Sequence, residues 1–317
     1  MDIKDTKILI ELARNARMPV QQIASRVGVS REVAAYRIKR LVEEKIIHDF
    51  STSIDISALG FSRYGLLLQL RGISIEEEKK FFSWIVKHPF LTYAGTLVGK
   101  WNIALDIFAR NQEHLKEILE EILSEIREYL DAYVITPIHR YESFPLKIVG
   151  GTLDLTDSFT SQRAEIDASD LKILSLLAHR ARIEYKELAP SLDMTANAVK
   201  YRILQLQKKK VIRGYSVSLD ASKLGYEFYN LQMKYFGPHE KQAFSFLRRA
   251  AEVVYFYQHL GNENWNFDIG IVVKNSLQLR DFLISLRKEL SEGMKVHEVY
   301  AIGEMIKTDH VPHGVFS

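Results

Sequence analysis

The strongest constraint on the fold of this chain is an internal repeat. An offset of 165 residues aligns Asp5 with Asp170 and continues without a gap as far as Gly60 and Gly225. Within this stretch the tripeptide Tyr-Arg-Ile recurs, at 36–38 and at 201–203. A fixed offset of this kind indicates a duplicated module. We therefore expect two copies of one structural unit, each of about 150 residues.

Each copy begins with helical patterns and then changes to strands. In the first copy, helices are predicted at 3–15, 20–27 and 30–44, with a tight turn before the third. The remainder reads β-α-β-β-α-β, the order of a ferredoxin-like sandwich. The predicted fold class is α+β, with two winged helix-turn-helix domains and two ferredoxin-like domains in a tandem repeat.

A segment rich in Gly, Ser and Thr separates the two copies and reads as a linker. Together with the change from helical to strand periodicity, it sets the predicted boundaries. These are a helix-turn-helix domain at 1–60, a ferredoxin-like domain at 61–149, the linker at 150–167, a second helix-turn-helix domain at 168–225 and a second ferredoxin-like domain at 226–317.

Composition excludes several classes of function. The net charge of +3 is small, so attraction for polyanions must come from where the charges lie. The chain has no cysteine, which excludes disulfides and thiolate chemistry and fits a reducing, cytoplasmic location. Its amino-terminal sequence mixes charged with apolar residues, and no apolar run approaches the roughly 20 residues of a membrane span. No membrane partner is expected.

The helix predicted at 30–44 has two different faces. Its apolar positions, Ala34, Ile38, Leu41 and Val42, fall on one stripe that is expected to face a core. A short turn before an exposed, partly basic helix is the arrangement by which a helix-turn-helix unit reads the major groove of DNA. The predicted DNA-binding residues of this copy are Ser30, Arg31, Tyr36, Lys39 and Arg40. The alternative is an ordinary solvated helix face, and Tyr36 can equally pack on the wing.

The second copy is predicted to be a weaker reader of DNA. Its candidate residues are Thr195, Asn197, Lys200 and Tyr201, and Tyr201 shares the alternative given for Tyr36. Pro190 interrupts the helix that should brace the reader, and Asp193 replaces the glycine of the turn. In both copies an arginine flanks the core stripe, at Arg37 and Arg202. We expect these two side chains to brace the first helix through an acidic partner.

Residues 5–60 and 170–225 both closely resemble the amino-terminal domain of the Lrp/AsnC (feast/famine) regulators. The two strand-rich parts are similar to the effector-binding and dimerising domain of that family. The resemblance implies a sequence-specific transcription regulator that binds double-stranded DNA, responds to a small effector such as an amino acid, and forms homo-oligomers through its ferredoxin-like domains. The tandem then corresponds to a dimer joined in one chain.

The candidate effector loops are 97–102 and 260–266. Glycine allows close approach of a ligand to the backbone, and an asparagine amide can bind a carboxylate or an amine. The predicted effector-binding residues are Gly99, Trp101, Asn102, Gly261, Trp265 and Asn266. The family more usually has an acidic-aromatic pair after this glycine, whereas Trp and Asn stand there in this chain. An amino acid ligand is one alternative. A hairpin in which the tryptophans only pack is the other.

Enzymatic readings have less support. The sequence has no phosphate loop, nucleophile elbow or thiolate, and no cofactor is predicted. His310 and His313 have a ligand-like spacing, but short histidine pairs in tails are usually solvated. The alternative enzyme class is the siroheme decarboxylases, whose two-part architecture this chain also resembles. That activity needs cationic and imidazole side chains grouped over a tetrapyrrole, whereas His88, His139 and His259 are scattered in the sequence.

Overall fold

The computed structural model describes residues 1–151, 163–235, 240–290 and 293–316. Most of the predicted linker at 150–167 lies outside the described residues. Within the described ranges both copies have the predicted order of elements, with helices first and a sheet afterwards.

The first copy opens with three helices that have identifiable starts and stops. They are α1 (Ile3–Arg14), α2 (Val20–Val27) and α3 (Arg31–Glu43). The Asp2 side chain accepts a hydrogen bond from the Asp5 amide in a capping box at the start of α1. Gly28, at φ 72°, ends α2 in the left-handed conformation that glycine tolerates best. The three helices predicted for this copy are therefore confirmed.

Strand β1 (Ile47–Ile54) follows α3, and the ferredoxin-like part comes next. Its elements are β2 (Ser62–Leu70), α4 (Ile75–Lys87), β3 (Leu91–Val98), β4 (Ile103–Ala109), α5 (Gln112–Glu125) and β5 (Leu130–Ser143). The strands lie in the order β3-β4-β2-β5 with antiparallel pairing throughout. This arrangement confirms the predicted β-α-β-β-α-β unit.

The second copy repeats the plan with one local difference. Its elements are α6 (Ala168–Ala178), α7 (Tyr185–Leu188), α8 (Ala196–Lys208), β6 (Ile212–Leu219), β7 (Glu227–Tyr235), α9 (Glu240–Arg249), β8 (Val253–His259), β9 (Phe267–Val273), α10 (Ser276–Glu289) and β10 (Met294–Thr308). The counterpart of α2 is broken into α7 and a short 3-10 helix that begins at Pro190. Asp193 adopts the left-handed conformation at φ 52°. Both features agree with the expectation from Pro190 and Asp193.

The two ferredoxin-like sheets close into one eight-stranded barrel. The strand order is β10-β3-β4-β2-β5-β8-β9-β7, so β5 pairs with β8 and β10 pairs with β3 across the copies. Separate apolar cores lie between each half of the barrel and its own helices. The inner face of the barrel is therefore a third environment, distinct from both cores. Closure also uses the sheet edges within the chain, so the homo-oligomer that we predict must use other surfaces.

The two helical heads are joined by a two-stranded ribbon, which consists of β1 and β6. The strands run antiparallel with Ile54 opposite Ile212. The Ala16 amide donates to the Tyr215 carbonyl at 3.0 Å, and the Ala181 amide donates to the Phe50 carbonyl at 3.1 Å. The strand expected to serve as a wing in each copy thus pairs with its counterpart in the other copy.

The predicted apolar stripe of α3 needs one correction. Ala34, Ile38 and Leu41 are buried as expected, but the Val42 side chain is 41% exposed. The helix turns 100° per residue, so Val42 lies at the edge of the stripe, beyond the reach of α1 and α2.

Leu41 and Val42 therefore provide a matched pair for testing the stripe. We expect Leu41→Ala to lower the free energy of unfolding by about 3 kcal/mol, because the fully buried side chain leaves a cavity. Val42→Ala should lower it by less than about 1 kcal/mol. Urea denaturation followed by circular dichroism measures both, and similar losses would contradict the assigned orientation of α3.

Candidate functional site

The outer face of α3 carries most of the residues predicted to bind DNA in the first copy. Ser30 caps the helix, with its hydroxyl accepting from the Val33 amide at 3.2 Å. Arg31 is exposed, Tyr36 is 66% exposed, and the Lys39 side chain is 77% exposed with its ammonium 3.6 Å from Glu43. Four of the five predicted side chains are therefore available on one solvent-facing surface.

Arg40 is placed differently from the prediction. Its guanidinium donates to the Asp5 carboxylate at 2.6 Å, and that carboxylate is buried beneath α1. Arg37 donates to Asp5 at 2.8 Å and to Asp2 at 2.7 Å, as expected for a bracing residue. Arg40 thus shares the bracing role that we had predicted for Arg37, because its position on the helix brings it over α1.

The bracing interaction is repeated in the second copy. Arg202 donates to Asp167 at 2.8 Å and to Asp170 at 2.9 Å, so the acidic partner predicted for Arg202 is also found. Gln205 occupies the position of Arg40 in this copy, one offset of 165 later. The second head therefore has one arginine on its buried carboxylate where the first head has two.

The outer face of α8 is exposed but carries its positive charges at other positions than α3 does. Thr195 caps the helix by accepting from the Ala198 amide at 3.2 Å. Asn197, Lys200 and Tyr201 are all exposed, as predicted. However, the positions of Arg31 and Lys39 are taken by Ala196 and Leu204. The helix therefore lacks two of the cations that α3 presents, although it has Lys200 and Lys208 where α3 has Ala35 and Glu43.

The asparagines predicted to bind an effector are occupied by backbone contacts. Asn102 Oδ1 accepts from the Leu70 amide at 2.6 Å, and Asn266 Oδ1 accepts from the Tyr235 amide at 2.8 Å. The Asn266 side-chain amide also donates to the Tyr235 carbonyl at 2.9 Å. In both copies this side chain therefore extends the ladder beyond the end of a strand and does not point to an open ligand site.

The glycines and tryptophans of the two loops differ in their surroundings. Gly99 packs closely against Tyr300, and Gly261 turns the chain at φ 74°. Trp101 and Trp265 are both buried. Trp265 also lines the interior cavity of the barrel, so one of the predicted effector residues reaches an enclosed space.

The barrel encloses a cavity of about 370 Å³ that sequence reasoning did not locate. It extends from the inner face of the barrel to the ribbon of β1 and β6. Its polar lining includes Ser51, Ser216, Arg63, Tyr93, Asp106, Thr136, Tyr141, Asn230, Tyr255, Tyr257, His259, Asp268 and Tyr300. A polar interior of this size is typical of a ligand site, because a structural barrel core is normally filled with apolar side chains.

An arginine and an aspartate form the first polar group in the cavity. Arg63 donates to Asp106 and, at 2.6 Å, to the Tyr257 hydroxyl. Its guanidinium also lies over the rings of Tyr141 and Tyr257, at 4.7 and 4.6 Å. Burial alone would lower the pKa of Arg63, but the Asp106 carboxylate raises that pKa above its ordinary value, so the guanidinium stays charged.

A histidine and a second aspartate form the other polar group. His259 Nε2 is 2.9 Å from Asp268 Oδ2, and its Nδ1 is 2.8 Å from the Thr136 hydroxyl. Burial raises the pKa values of the neighbouring Tyr255 and Tyr257 well above their ordinary range. These phenols therefore remain neutral near pH 7 and act as hydrogen-bonding or aromatic surfaces.

Two further classes of site were tested within the described part of the chain. No three His, Asp or Glu side chains converge there on a point that could hold a metal ion, at His310 and His313 or elsewhere. None of the described helices is long and apolar enough to span a membrane.

The two heads define the class of protein to which this chain belongs. The AsnC-type helix-turn-helix domain matches residues 1–42 and 166–207, once in each copy. An uncharacterised HTH-type transcriptional regulator of Pyrococcus furiosus is 31% identical over 128 residues, which span 40% of this chain and 85% of that protein. An HTH-type transcriptional regulator of Mycobacterium tuberculosis is 30% identical over 124 residues, or 39% of this chain and 83% of that one.

This chain belongs to the family of AsnC-type helix-turn-helix transcriptional regulators. It is a DNA-binding regulator in tandem form, since each of those relatives aligns with less than half of it. The predicted family and fold are confirmed.

One solved structure shares the complete tandem fold. The siroheme decarboxylase NirDL, in complex with an iron-uroporphyrin III analogue, superposes with a TM-score of 0.67 over 99% of this chain and 95% of that one. The sequence identity is 14%, so the similarity concerns the fold alone.

The bracing carboxylates offer a comparison between the two heads. We expect Asp5→Asn to lower the local stability of α1 and α3 by about 3 kcal/mol, because two guanidiniums lose their charged partner. Asp170→Asn should cost its head less, since one arginine is affected there. Amide hydrogen exchange of the two heads measures both effects, and a larger loss in Asp170→Asn would refute the assigned roles.

Proposed function

We propose that this regulator reads DNA mainly through α3 of its first copy, while the second head fixes its position on the duplex. The observation that carries this proposal is the different placement of cations on two otherwise equivalent helices. α3 presents Arg31 and Lys39 to solvent, whereas α8 presents Ala196 and Leu204 at the same positions. Cations at these positions neutralise phosphate or read guanine, and neither alanine nor leucine can do so.

The ribbon of β1 and β6 supports a joint role for the two heads. Because it ties them together within one chain, both heads meet DNA as a unit without a concentration-dependent association. In paired helix-turn-helix proteins, the symmetry and spacing of the half-sites mirror the geometry of the protein. Unequal recognition helices then favour an operator with two unequal half-sites, and Ser30, Tyr36, Thr195, Asn197, Lys200 and Tyr201 complete the proposed contact surface.

We also propose that a small effector enters the ferredoxin-like part of the protein. The cavity in the barrel supports this role better than the two loops, because the amides of Asn102 and Asn266 already bind backbone. Trp265 belongs to a predicted effector loop and also lines the cavity, so the two candidate sites share this residue. The cavity touches the ribbon, so an occupant would lie between the sensing and DNA-binding parts.

We further propose that the protein acts as a regulator and not as an enzyme. The rival reading, a siroheme decarboxylase, has the shared tandem fold in its favour. Of the three candidate histidines, His259 lines the cavity, while His88 lies on the helical side of the barrel beside Glu121. The buried carboxylate of Asp268, which has no Arg or Lys partner among the described residues, would repel a tetrapyrrole that carries several carboxylates of its own. The cavity chemistry therefore favours a regulator.

DNA reading by α3 is tested by a double substitution. We expect Arg31→Ala with Lys39→Ala to weaken operator binding at least tenfold and to reduce the slope of log K against log salt by about 2, because up to two phosphate contacts are lost. Electrophoretic mobility shift assays at several salt concentrations measure both quantities on a fragment selected from the host genome.

Two controls accompany this double variant. Lys116→Ala with Arg280→Ala removes the same charge from exposed positions on α5 and α10, and it should leave affinity within about threefold. Lys200→Ala alone should weaken binding less than the α3 double variant. Equal losses in all three proteins would mean that overall charge, rather than α3, determines the affinity.

The rival enzyme is tested with its own substrate. We expect the purified chain, mixed with siroheme and desalted, to retain none of the absorbance of the siroheme, since the pigment meets the buried carboxylate of Asp268 in the cavity. The same preparation should still shift its operator fragment. Retention of the pigment together with loss of carbon dioxide from it would overturn the assignment as a regulator alone.

A further inference from the structure

The carboxylates around the barrel cavity are not equally neutralised. Asp106 is paired with Arg63, and Asp55 lies 2.5 Å from the Arg213 guanidinium. Asp309 is 3.5 Å from the Lys307 ammonium. Asp268 lies 2.9 Å from His259 Nε2, and within the described ranges it has no Arg or Lys partner. A buried carboxylate is costly unless it is paired with a cation, so Asp268 is the position in the cavity that needs one.

Two hydrogen-bond acceptors at this position, one of them an oxygen of the carboxylate itself, also lack donors. Asp268 Oδ1 and Asn230 Oδ1 are buried and have no hydrogen-bond partner in the described part of the chain. Asn230 lies opposite Gly270 in the pairing of β7 with β9. Because Asp268 precedes Gly270 by two residues, both side chains lie on the inner face of the barrel, on adjacent rungs. Buried acceptors are normally satisfied, so these two indicate a ligand that donates N–H or O–H groups.

Aromatic rings line the same space. Tyr255 lies flat across Gly270, at the place where a side chain on that residue would stand, and its hydroxyl accepts from the Asn230 amide at 3.2 Å. Tyr93 also lines the cavity, with its hydroxyl end nearest to Gly95. The Tyr255 ring therefore covers Gly270 with its face. The face of an aromatic ring carries negative partial charge and attracts cations.

We propose that the barrel cavity binds a small primary alkylammonium ion. The ammonium group donates to Asp268 and Asn230, and its alkyl chain lies along the rings of Tyr93 and Tyr255. A metal ion fits this site less well, since no third His, Asp or Glu converges on it among the described residues. A carboxylate or phosphate ligand would meet the charge of Asp268, while the guanidinium of Arg63 is already paired with Asp106.

The cavity reaches the heads at one end of the barrel. Ser51 of β1 and Ser216 of β6 belong to its lining, so the ligand would touch the ribbon that holds the two heads together. Any effect of the ligand on DNA binding rests on the proposed regulatory function. Binding of the ammonium ion itself does not, and the two are measured separately.

Three probes of equal shape test the charge requirement on the full chain. Pentylammonium chloride carries the proposed group, 1-pentanol is its neutral counterpart and pentanoate is an anion of the same length. We expect calorimetric titration near pH 7 to show pentylammonium binding at least tenfold more tightly than 1-pentanol, because a hydrogen bond to a charged group is worth more than one to a neutral group. Pentanoate should not bind. Equal affinities for the amine and the alcohol would overturn the proposal.

Substitution of the carboxylate tests the position of the site. Asp268→Asn should weaken pentylammonium at least tenfold while changing 1-pentanol little, because the shape of the side chain is retained. Asp281→Asn, at an exposed carboxylate on α10, should change neither affinity. Unchanged amine binding in Asp268→Asn would place the ligand elsewhere. The comparison of probes on the unmodified chain stays decisive if this variant does not fold.

The double variant Arg31→Ala with Lys39→Ala tests DNA binding by α3 separately from ammonium binding in the cavity. It should bind pentylammonium as the unmodified chain does, because α3 is remote from the cavity lining. A chain that binds the amine but no DNA would contradict the proposed function alone. A chain that binds DNA but shows no preference for the amine would contradict the ligand alone.

Discussion

Two strand pairings between the copies, β5 with β8 and β10 with β3, hold this structure in its present form. Without them, each ferredoxin-like sheet would expose two edges with unpaired amides and carbonyls, which are a template for aggregation. Closure pairs these edges with one another within one chain. It also creates an interior that neither copy possesses alone. Covalent fusion makes this closure intramolecular, and the cavity then becomes a property of every folded chain at any protein concentration.

The two copies share the contacts that brace their heads but differ in the residues that face solvent and the barrel interior. The bracing arginine and its two carboxylates recur at the same offset in both heads, because each head needs them to fix its third helix against its first. The outer faces of those helices are under no such constraint. The same holds inside the barrel, where Phe228 stands at the position that corresponds to Arg63. One half supplies the Arg63–Asp106 pair, and the other supplies the His259–Asp268 pair.

The sequence was sufficient for the parts of the structure that depend on local pattern. The offset, the helix periodicity and the caps predicted both heads and both β-α-β-β-α-β units, and the position of Arg37 beside the core stripe predicted its carboxylate partners. Arg40 and Val42 were assigned to the wrong surroundings, because both lie at the edge of the stripe, where a rotation of the helix by a few degrees decides the neighbour. Asn102 and Asn266 looked like ligand donors, but the end of a strand needs the same amide groups.

The cavity was beyond the reach of that reasoning, since it depends on which strands meet across the copies. One signal was present in β8, where Tyr255, Tyr257 and His259 occupy every second position and so share a single face. An alternating polar and aromatic face is unusual for a strand buried on both sides, and it indicates a polar interior.

In the regulatory proposal, the effect of a ligand on DNA binding passes through the contact between the cavity and the ribbon. A ligand shifts an equilibrium only by the difference between its interactions with the two states. In this fold that difference must arise where the cavity meets β1 and β6, because these strands follow the recognition helices α3 and α8 almost directly. A small change in the packing of the ribbon on the barrel would change the angle between the two heads. Since a duplex fixes the spacing and orientation of its half-sites, such a change affects the binding of both heads together, even when each head keeps its internal structure.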